Sequence, residues 1–193
     1  MKFSFFIVLF LFFTKIAFAI EYNFTKIISL DKPWGSTFIN DDQILLTEVG
    51  GKIKLVNIIT KNIKTINHNL NFLEYGQGGL LDILYQNKNV WISYTENREN
   101  WKTSTSIAKG FFNDKKIDFV NIFQANPPID SGYHFGSRLA IKDDYLFASV
   151  GERGEGMIAQ DASKHPGSII RIHLDGSIPN DNPKFLNKKK MAS

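Results

Sequence analysis

One short phrase of the sequence recurs three times and limits what this chain can fold into. It is a mainly apolar tetrapeptide, repeated at intervals of 46 and 56 residues as Ile44-Leu45-Leu46-Thr47, Val90-Trp91-Ile92-Ser93 and Leu146-Phe147-Ala148-Ser149. A polar corner precedes each copy, and two of these corners are the acidic pairs Asp41-Asp42 and Asp143-Asp144. A repeat of roughly 40 to 50 residues that holds about four short strands is typical of a β-propeller blade.

The turns between the apolar runs leave one alternative fold open, since hairpins in a β-sandwich also give turn signals about every 8 to 12 residues. The repeated corner and strand favour the propeller. No stretch predicts a long amphipathic helix, and residues 156–164 predict only a short helical turn before Pro166. We therefore predict an all-β protein, a β-propeller of which this sequence supplies about three blades of an incomplete ring.

The first 19 residues have the pattern of an export signal. Lys2 precedes an apolar run from Phe3 to Phe13, and small residues surround a cleavage site after Ala19. The apolar core of about 11 residues is shorter than the ~20 that a spanning helix needs, although a retained membrane anchor is the alternative. We predict cleavage, no membrane span afterwards, and a periplasmic or secreted protein. Residues 20–185 are then a partial propeller domain, and residues 186–193 a basic tail outside the family pattern.

Composition excludes several kinds of partner and site. Hydrophobic residues make up 43% of the chain and charged residues 22%, as in a packed globular domain. No basic block with interleaved aromatics suggests nucleic acid, so we predict no nucleic-acid partner. There is no cysteine, and the four histidines lack the spacing of metal ligands. We therefore predict no metal site formed by side chains of this sequence.

His134 is the first candidate for chemistry. Gly132 and Gly136 flank it and expose it on a loop, and Arg138 follows four residues later. A histidine accepts protons near neutral pH, as a general base must, although a lone histidine is more often a structural hydrogen-bonding residue. Glu152 lies in a charged turn after the third copy of the repeat, where it could orient His134.

Gln77 is the second candidate. The glycines at 76, 78 and 79 either let the backbone approach a ligand closely or form a flexible turn. The segment is not a phosphate loop, since no Gly-Lys-Ser/Thr follows it. The glycines from Gly151 to Gly156 lack the spacing of a dinucleotide-binding loop. We therefore interpret this segment as the charged tip of a loop.

Four blocks in this order resemble a known family: PWGSTFINDDQILLTEVGGKIKLV, GQGGLLDILY with VWISYTE, HFGSRLAIKDDYLFASVGERG, and AQDASKHPGSIIRIHLDGSIPNDNP. They are similar to the soluble aldose and glucose dehydrogenases that depend on pyrroloquinoline quinone (PQQ), the glucose/sorbosone dehydrogenase family. The likeness covers nearly everything from Leu30 to Pro183. It implies export to the periplasm and a six-bladed propeller with PQQ on top of the central channel.

The resemblance also implies roles for the candidate residues. His134 would be the base that takes the proton from the C1 hydroxyl of an aldose, while hydride passes from C1 to the C5 carbonyl of PQQ and leaves the lactone. Gln77 would face cofactor and sugar, and Arg138 and Glu152 would support His134. An external acceptor would then take the electrons. The chain departs from the family where Ser137 replaces a frequent Gly and Glu152 a frequent Asp, and at Pro166 and Ser168.

The family continues for about three more blades after Pro183. Those blades carry the arginines and the lysine that hold the PQQ carboxylates, and the carbonyls that hold Ca²⁺. We therefore expect the calcium ligands outside this sequence and a chain that is a truncated form of the enzyme. The alternative is a non-catalytic propeller fragment that binds a ligand or partner chain through open blade edges, either a complementary C-terminal half or a second copy.

Overall fold

The computed structural model describes residues 22–183, and nearly all regular structure there is β-strand. Eleven strands follow one another: β1 (Pro33–Phe38), β2 (Gln43–Glu48), β3 (Lys52–Asn57), β4 (Ile63–His68), β5 (Leu80–Gln86), β6 (Asn89–Asn97), β7 (Thr103–Phe112), β8 (Lys116–Gln124), β9 (Gly136–Lys142), β10 (Tyr145–Val150) and β11 (Ser168–His173). Within this range the helical elements are two 3₁₀ turns, Glu99–Trp101 and Gly156–Gln160. The second confirms the short helical turn that the sequence predicted.

The strands form three consecutive antiparallel meanders, which we call blade 1 (β1–β4), blade 2 (β5–β8) and blade 3 (β9–β11). A short parallel pairing of Asn67 and His68 with Lys116 and Ile117 joins the outer strands of blades 1 and 2. The first strands lie side by side, β1 against β5 and β5 against β9. First strands arranged side by side line the channel of a propeller, so the predicted all-β propeller is confirmed.

Two apolar cores fill the spaces between the blades. The first joins blades 1 and 2 and includes Leu45 and Ile92, and the second joins blades 2 and 3 and includes Trp91 and Leu146. Successive side chains of a strand point to opposite faces, so β6 contributes to both cores and is an almost unbroken buried run. In β10, by contrast, buried residues alternate with half-buried ones.

The last residue of the repeated tetrapeptide explains why the phrase recurs. The hydroxyls of Thr47, Ser93 and Ser149 accept hydrogen bonds from the first strand of their own blade. The donors are the backbone N–H groups of Gly35, Asp82 and Arg138, at 2.9, 2.9 and 3.0 Å respectively. Thr47 and Ser93 also donate to the first strand of the next blade, at the carbonyls of Leu81 and Ser137. We call this pair of bonds the hydroxyl latch, and it links successive blades.

Several predictions concern residues outside the described range. The export signal at residues 1–19 and the basic tail at residues 186–193 both lie there, so they stay predictions. Between residues 22 and 183, no helix has the length and apolar character required to cross a membrane.

Candidate active site

His134 lies on the loop between β8 and β9, beside the turn that follows β10. Its backbone adopts a left-handed conformation with φ of 51°. Its carbonyl oxygen packs so closely on Gly151 that a Cβ atom at position 151 would overlap it. A glycine is therefore required at position 151 for the two loops to meet. The imidazole itself is 54% exposed, so it is open to a ligand.

Glu152 holds the imidazole from the neighbouring turn. Its Oε1 atom is hydrogen-bonded to Nδ1 of His134 and also accepts the backbone N–H of Gly154 at 3.1 Å. The hydrogen bond to His134 is the main cause that lowers the pKa of Glu152, so the carboxyl group is ionised at neutral pH. An ionised carboxylate only accepts hydrogen bonds, so Nδ1 must donate, and Nε2 of the neutral ring keeps its lone pair.

Gln77 reaches the same loop from the segment that connects blades 1 and 2. Its Oε1 atom accepts the backbone N–H of His134 at 2.8 Å, and its own backbone N–H donates to the carbonyl of Gly132 at 2.7 Å. Cβ atoms on its glycine neighbours would overlap other parts of the chain, Gly132 for Gly76 and Thr95 for Gly78. These glycines thus allow close packing within the protein. No described residue accepts a hydrogen bond from the Nε2 amide of Gln77.

A cleft of about 240 Å³ contains the candidate residues, and its lining is Trp34, Gln77, Leu81, His134, Phe135, Gly136 and Ser137. A larger hollow of about 470 Å³ lies along β8 and includes His165 but none of the predicted site residues. Nδ1 of His165 accepts the backbone N–H of Asn126 at 2.9 Å, and burial lowers the pKa of this imidazole. We therefore regard His165 as a structural histidine and the smaller cleft as the candidate site.

The structure pairs Arg138 with Asp82, and none of its hydrogen bonds goes to His134, which the resemblance implied it would support. Its Nη1 atom donates to Oδ1 of Asp82 at 3.0 Å, and its guanidinium lies 5.1 Å from the ring centroid of Trp34. Asp82 is 2% exposed and also accepts the backbone N–H of Leu139 at 2.8 Å, so the pair ties β5 to β9. The backbone has positive φ at His134, Gly136 and Ser137, so the chain changes direction between His134 and Arg138, and a spacing of four residues does not pair their side chains.

Arg153 is a site residue that the sequence analysis missed, because it treated Gly151 to Gly156 as a charged loop tip. Arg153 is only 2% exposed, and its guanidinium lies 3.7 Å from the ring centroid of Phe135. It donates to backbone carbonyls of the loop that carries His134. Burial lowers the pKa of Arg153 to about 10, so the group is still a cation at neutral pH. Its partners are distant in sequence, so no local pattern indicates them.

A sequence model described as glucose/sorbosone dehydrogenase matches residues 30–193. This chain belongs to the glucose/sorbosone dehydrogenase family. The matched range includes residues 186–193, which we predicted to be a basic tail outside the family pattern. Relatives in the same family include an aldose sugar dehydrogenase of Escherichia coli, 33% identical over 164 residues, and quinoprotein glucose dehydrogenase B of Acinetobacter calcoaceticus, 27% identical over 205 residues.

These alignments cover 80% and 84% of this chain but 44% and 42% of those relatives, so the chain spans less than half their length. A solved apo structure of a soluble aldose sugar dehydrogenase from Escherichia coli has a TM-score of 0.76 at 33% identity, covering 80% of this chain and 47% of that one. The PQQ-bound form of an aldose sugar dehydrogenase from Streptomyces coelicolor shares the fold, with a TM-score of 0.72 at 22% identity over 81% of this chain and 48% of that one.

The resemblance implied a calcium ion with ligands outside this sequence. Among residues 22–183, no group of three or more His, Asp or Glu side chains lies together in a way that could hold a metal ion. The described part of the candidate site combines an oriented imidazole, an amide and an aromatic wall.

Proposed function

We propose that this chain carries the proton-accepting part of a PQQ-dependent sugar dehydrogenase, which oxidises an aldose at C1 to the lactone. The observation that carries the proposal is the hydrogen bond between Nδ1 of His134 and the ionised carboxylate of Glu152. It leaves Nε2 as the ring nitrogen that can accept a proton, and His134 shares its cleft with Gln77. Membership of the glucose/sorbosone dehydrogenase family and the quinoprotein relative support the same reading.

The residues of this chain account for the movement of the proton. The C1 hydroxyl of the sugar would donate its proton to Nε2 of His134, and C1 would become a carbonyl carbon as its hydride leaves. The carboxylate of Glu152 would stabilise the imidazolium that forms and keep the ring in the productive tautomer. The bond from Gln77 to the backbone of His134 would keep the loop in place during this step.

The cleft fits one face of a planar, polar cofactor. Trp34, Leu81 and Phe135 give it an apolar wall, while His134 and the unpaired amide nitrogen of Gln77 supply polar contacts. When bound there, PQQ would supply a quinone that accepts the hydride and passes two electrons to an external acceptor. The calcium that the resemblance implies would need ligands outside the described residues. Because the chain spans less than half of its relatives, the activity of the complete enzyme and its export to the periplasm are part of the proposal.

A reconstitution assay tests the proposal directly. The protein is mixed with PQQ, Ca²⁺, a panel of aldoses and a redox dye, and dye reduction is compared for wild type, His134→Ala and the matched control His173→Ala. We expect aldose-dependent reduction that His134→Ala abolishes and His173→Ala leaves unchanged. Equal activity in wild type and His134→Ala would remove His134 from the reaction.

One observation favours a second candidate, a non-catalytic fragment that binds a partner chain. Ser149 accepts the N–H of Arg138 but, unlike Thr47 and Ser93, donates to no carbonyl among residues 22–183. Ile169, in the neighbouring strand β11, is 61% exposed. A complementary C-terminal half or a second copy would cover this flank. Light scattering after size exclusion separates the candidates, since a monomer with sugar-dependent turnover fits only the first.

A further inference from the structure

Arg153 is a buried cation that the proposed reaction does not use. Its Nε atom donates to the carbonyl of Tyr133 at 2.8 Å, and Nη2 donates to the carbonyl of Ser131. Both carbonyls belong to the three residues that precede His134. The remaining bonds go to Thr103 at the start of β7, with Nη1 at 3.0 Å from its carbonyl and Nη2 at 2.6 Å from its hydroxyl. The guanidinium therefore ties the loop of His134 to the scaffold of blade 2.

Arg153 and Glu152 hold that loop from two directions. They are adjacent in the turn after β10, where Glu152 bonds to the imidazole and Arg153 bonds to the backbone beneath it. The left-handed φ of 61° at Arg153 allows neighbouring side chains to point in these different directions. The guanidinium of Arg153 also contacts the ring of Phe135, the residue that follows His134.

An arginine suits this position for a chemical reason. Its planar guanidinium carries five N–H donors, so it serves several carbonyls at once, whereas the ammonium of a lysine is a compact charge with three. Among the described residues, no carboxylate lies within salt-bridge distance of Arg153. Its charge is stabilised by oxygens of the backbone and of Thr103, by the ring of Phe135 and, at longer range, by Glu152. Burial of an unpaired cation costs free energy, and these charge-assisted bonds offset that cost.

We propose that Arg153 is the positioning residue of the active site: it fixes the carbonyls of Ser131 and Tyr133 and so places the imidazole of His134 against Glu152. The inference rests on the proposed function for what His134 does in the reaction. The position of the imidazole is measurable without any cofactor.

The first test uses NMR of the wild-type chain and of three variants, Arg153→Gln, Arg153→Lys and Arg171→Gln. Arg171 is the matched control, because it is also hydrogen-bonded, at 2.7 Å to Asn182, and lies 4.8 Å from the ring centroid of Tyr145. Nitrogen-15 shifts of the His134 ring report the tautomer, and the carboxyl carbon of Glu152 reports its titration. Hydrogen exchange of residues 131–135 reports the order of the loop.

We expect the wild type and Arg171→Gln to show His134 protonated at Nδ1 and a low pKa for Glu152. In Arg153→Gln the tautomer preference should disappear, the pKa of Glu152 should return toward its ordinary value, and exchange should accelerate in residues 131–135. Arg153→Lys should fall between the two. The same tautomer and the same Glu152 titration in Arg153→Gln and wild type would overturn the proposal.

Two further outcomes test the same proposal. If both Arg153 variants fail to fold while Arg171→Gln folds, the residue serves blade stability and the proposal is wrong. Turnover gives an independent check, since misplacing a reacting group by about 1 Å costs roughly 100-fold, so Arg153→Gln should lower kcat by about that factor with little change in KM. If the NMR changes occur but wild type shows no sugar oxidation, the proposed function fails and the positioning role stands.

Discussion

Removal of the Ser93 hydroxyl should weaken the joint between blades 2 and 3. Ser93 is fully buried, accepts the N–H of Asp82 at 2.9 Å and donates to the carbonyl of Ser137 at 2.7 Å. In Ser93→Ala the residue keeps its size apart from one oxygen, so the main effect is the loss of these two bonds.

The magnitude follows from the groups left without partners. A buried donor or acceptor that loses its partner costs about 1–3 kcal/mol. Two such groups, the N–H of Asp82 and the carbonyl of Ser137, would give about 2–4 kcal/mol after partial relaxation. Ser149→Ala is the matched control, because this hydroxyl is only half-buried and makes one of the two bonds. It should cost about 1 kcal/mol.

Urea unfolding followed by tryptophan fluorescence measures both variants against the wild type. Of the three tryptophans, Trp91 packs in the core between blades 2 and 3, so it reports on this joint. A loss below about 0.5 kcal/mol for Ser93→Ala, or an equal loss in both variants, would refute the hydroxyl latch as a source of stability, since surface substitutions give changes of that size.

Three other predictions follow from the same geometry. Gly151→Ala should lower the free energy of unfolding in urea by more than about 2 kcal/mol, because the new Cβ would overlap the carbonyl of His134. Gly156 has open space around it, so Gly156→Ala should leave the stability unchanged. Equal stabilities of the two variants would contradict the close contact between the loops. Ser137 has a φ of 81°, a conformation that glycine adopts at lower cost than other residues. Ser137→Gly should therefore raise the free energy of unfolding by up to about 1 kcal/mol, whereas Ser137→Ala should give no gain. An increase in stability in Ser137→Ala would contradict backbone strain at this residue. The pKa of Glu152 is lowered in the folded protein, so its contribution to stability is present above the pKa of the unfolded chain and is lost as pH falls through the folded value. Glu152→Gln should therefore reduce the dependence of the free energy of unfolding on pH below about pH 4.5. The same pH dependence in the variant and the wild type would show that the hydrogen bond to His134 does not contribute to stability.

The sequence predicted the fold because the repeat has a local physical cause. Each copy ends in a hydroxyl that bonds within its blade, and in the first two copies it also bonds to the next blade, so the same phrase is needed wherever one blade meets the next. The contact of His134 with Glu152 also has a cause in the strand order. Both residues lie on loops at the same end of neighbouring strands, β9 and β10, which pair directly.

Contacts between distant segments could not be predicted in the same way. The resemblance implied that Arg138 supports His134, but Arg138 lies in β9 and pairs with Asp82 of the neighbouring strand β5. Arg153 was interpreted as part of a charged loop tip, and its burial depends on carbonyls of Thr103 and Tyr133 that no local pattern indicates. The resemblance implied that a glycine is frequent at position 137. The positive φ of Ser137 gives the physical reason, because glycine adopts such a conformation at the least cost.

The most direct test of the central claim is the rate at which bound quinone is reduced in a single turnover. The protein is loaded with PQQ and Ca²⁺, mixed rapidly with a saturating aldose, and followed by the absorbance of the quinone. If His134 is the base, His134→Ala should lower this rate by about 10²–10⁴-fold, while His173→Ala should match the wild type. Equal rates in His134→Ala and wild type would contradict the account.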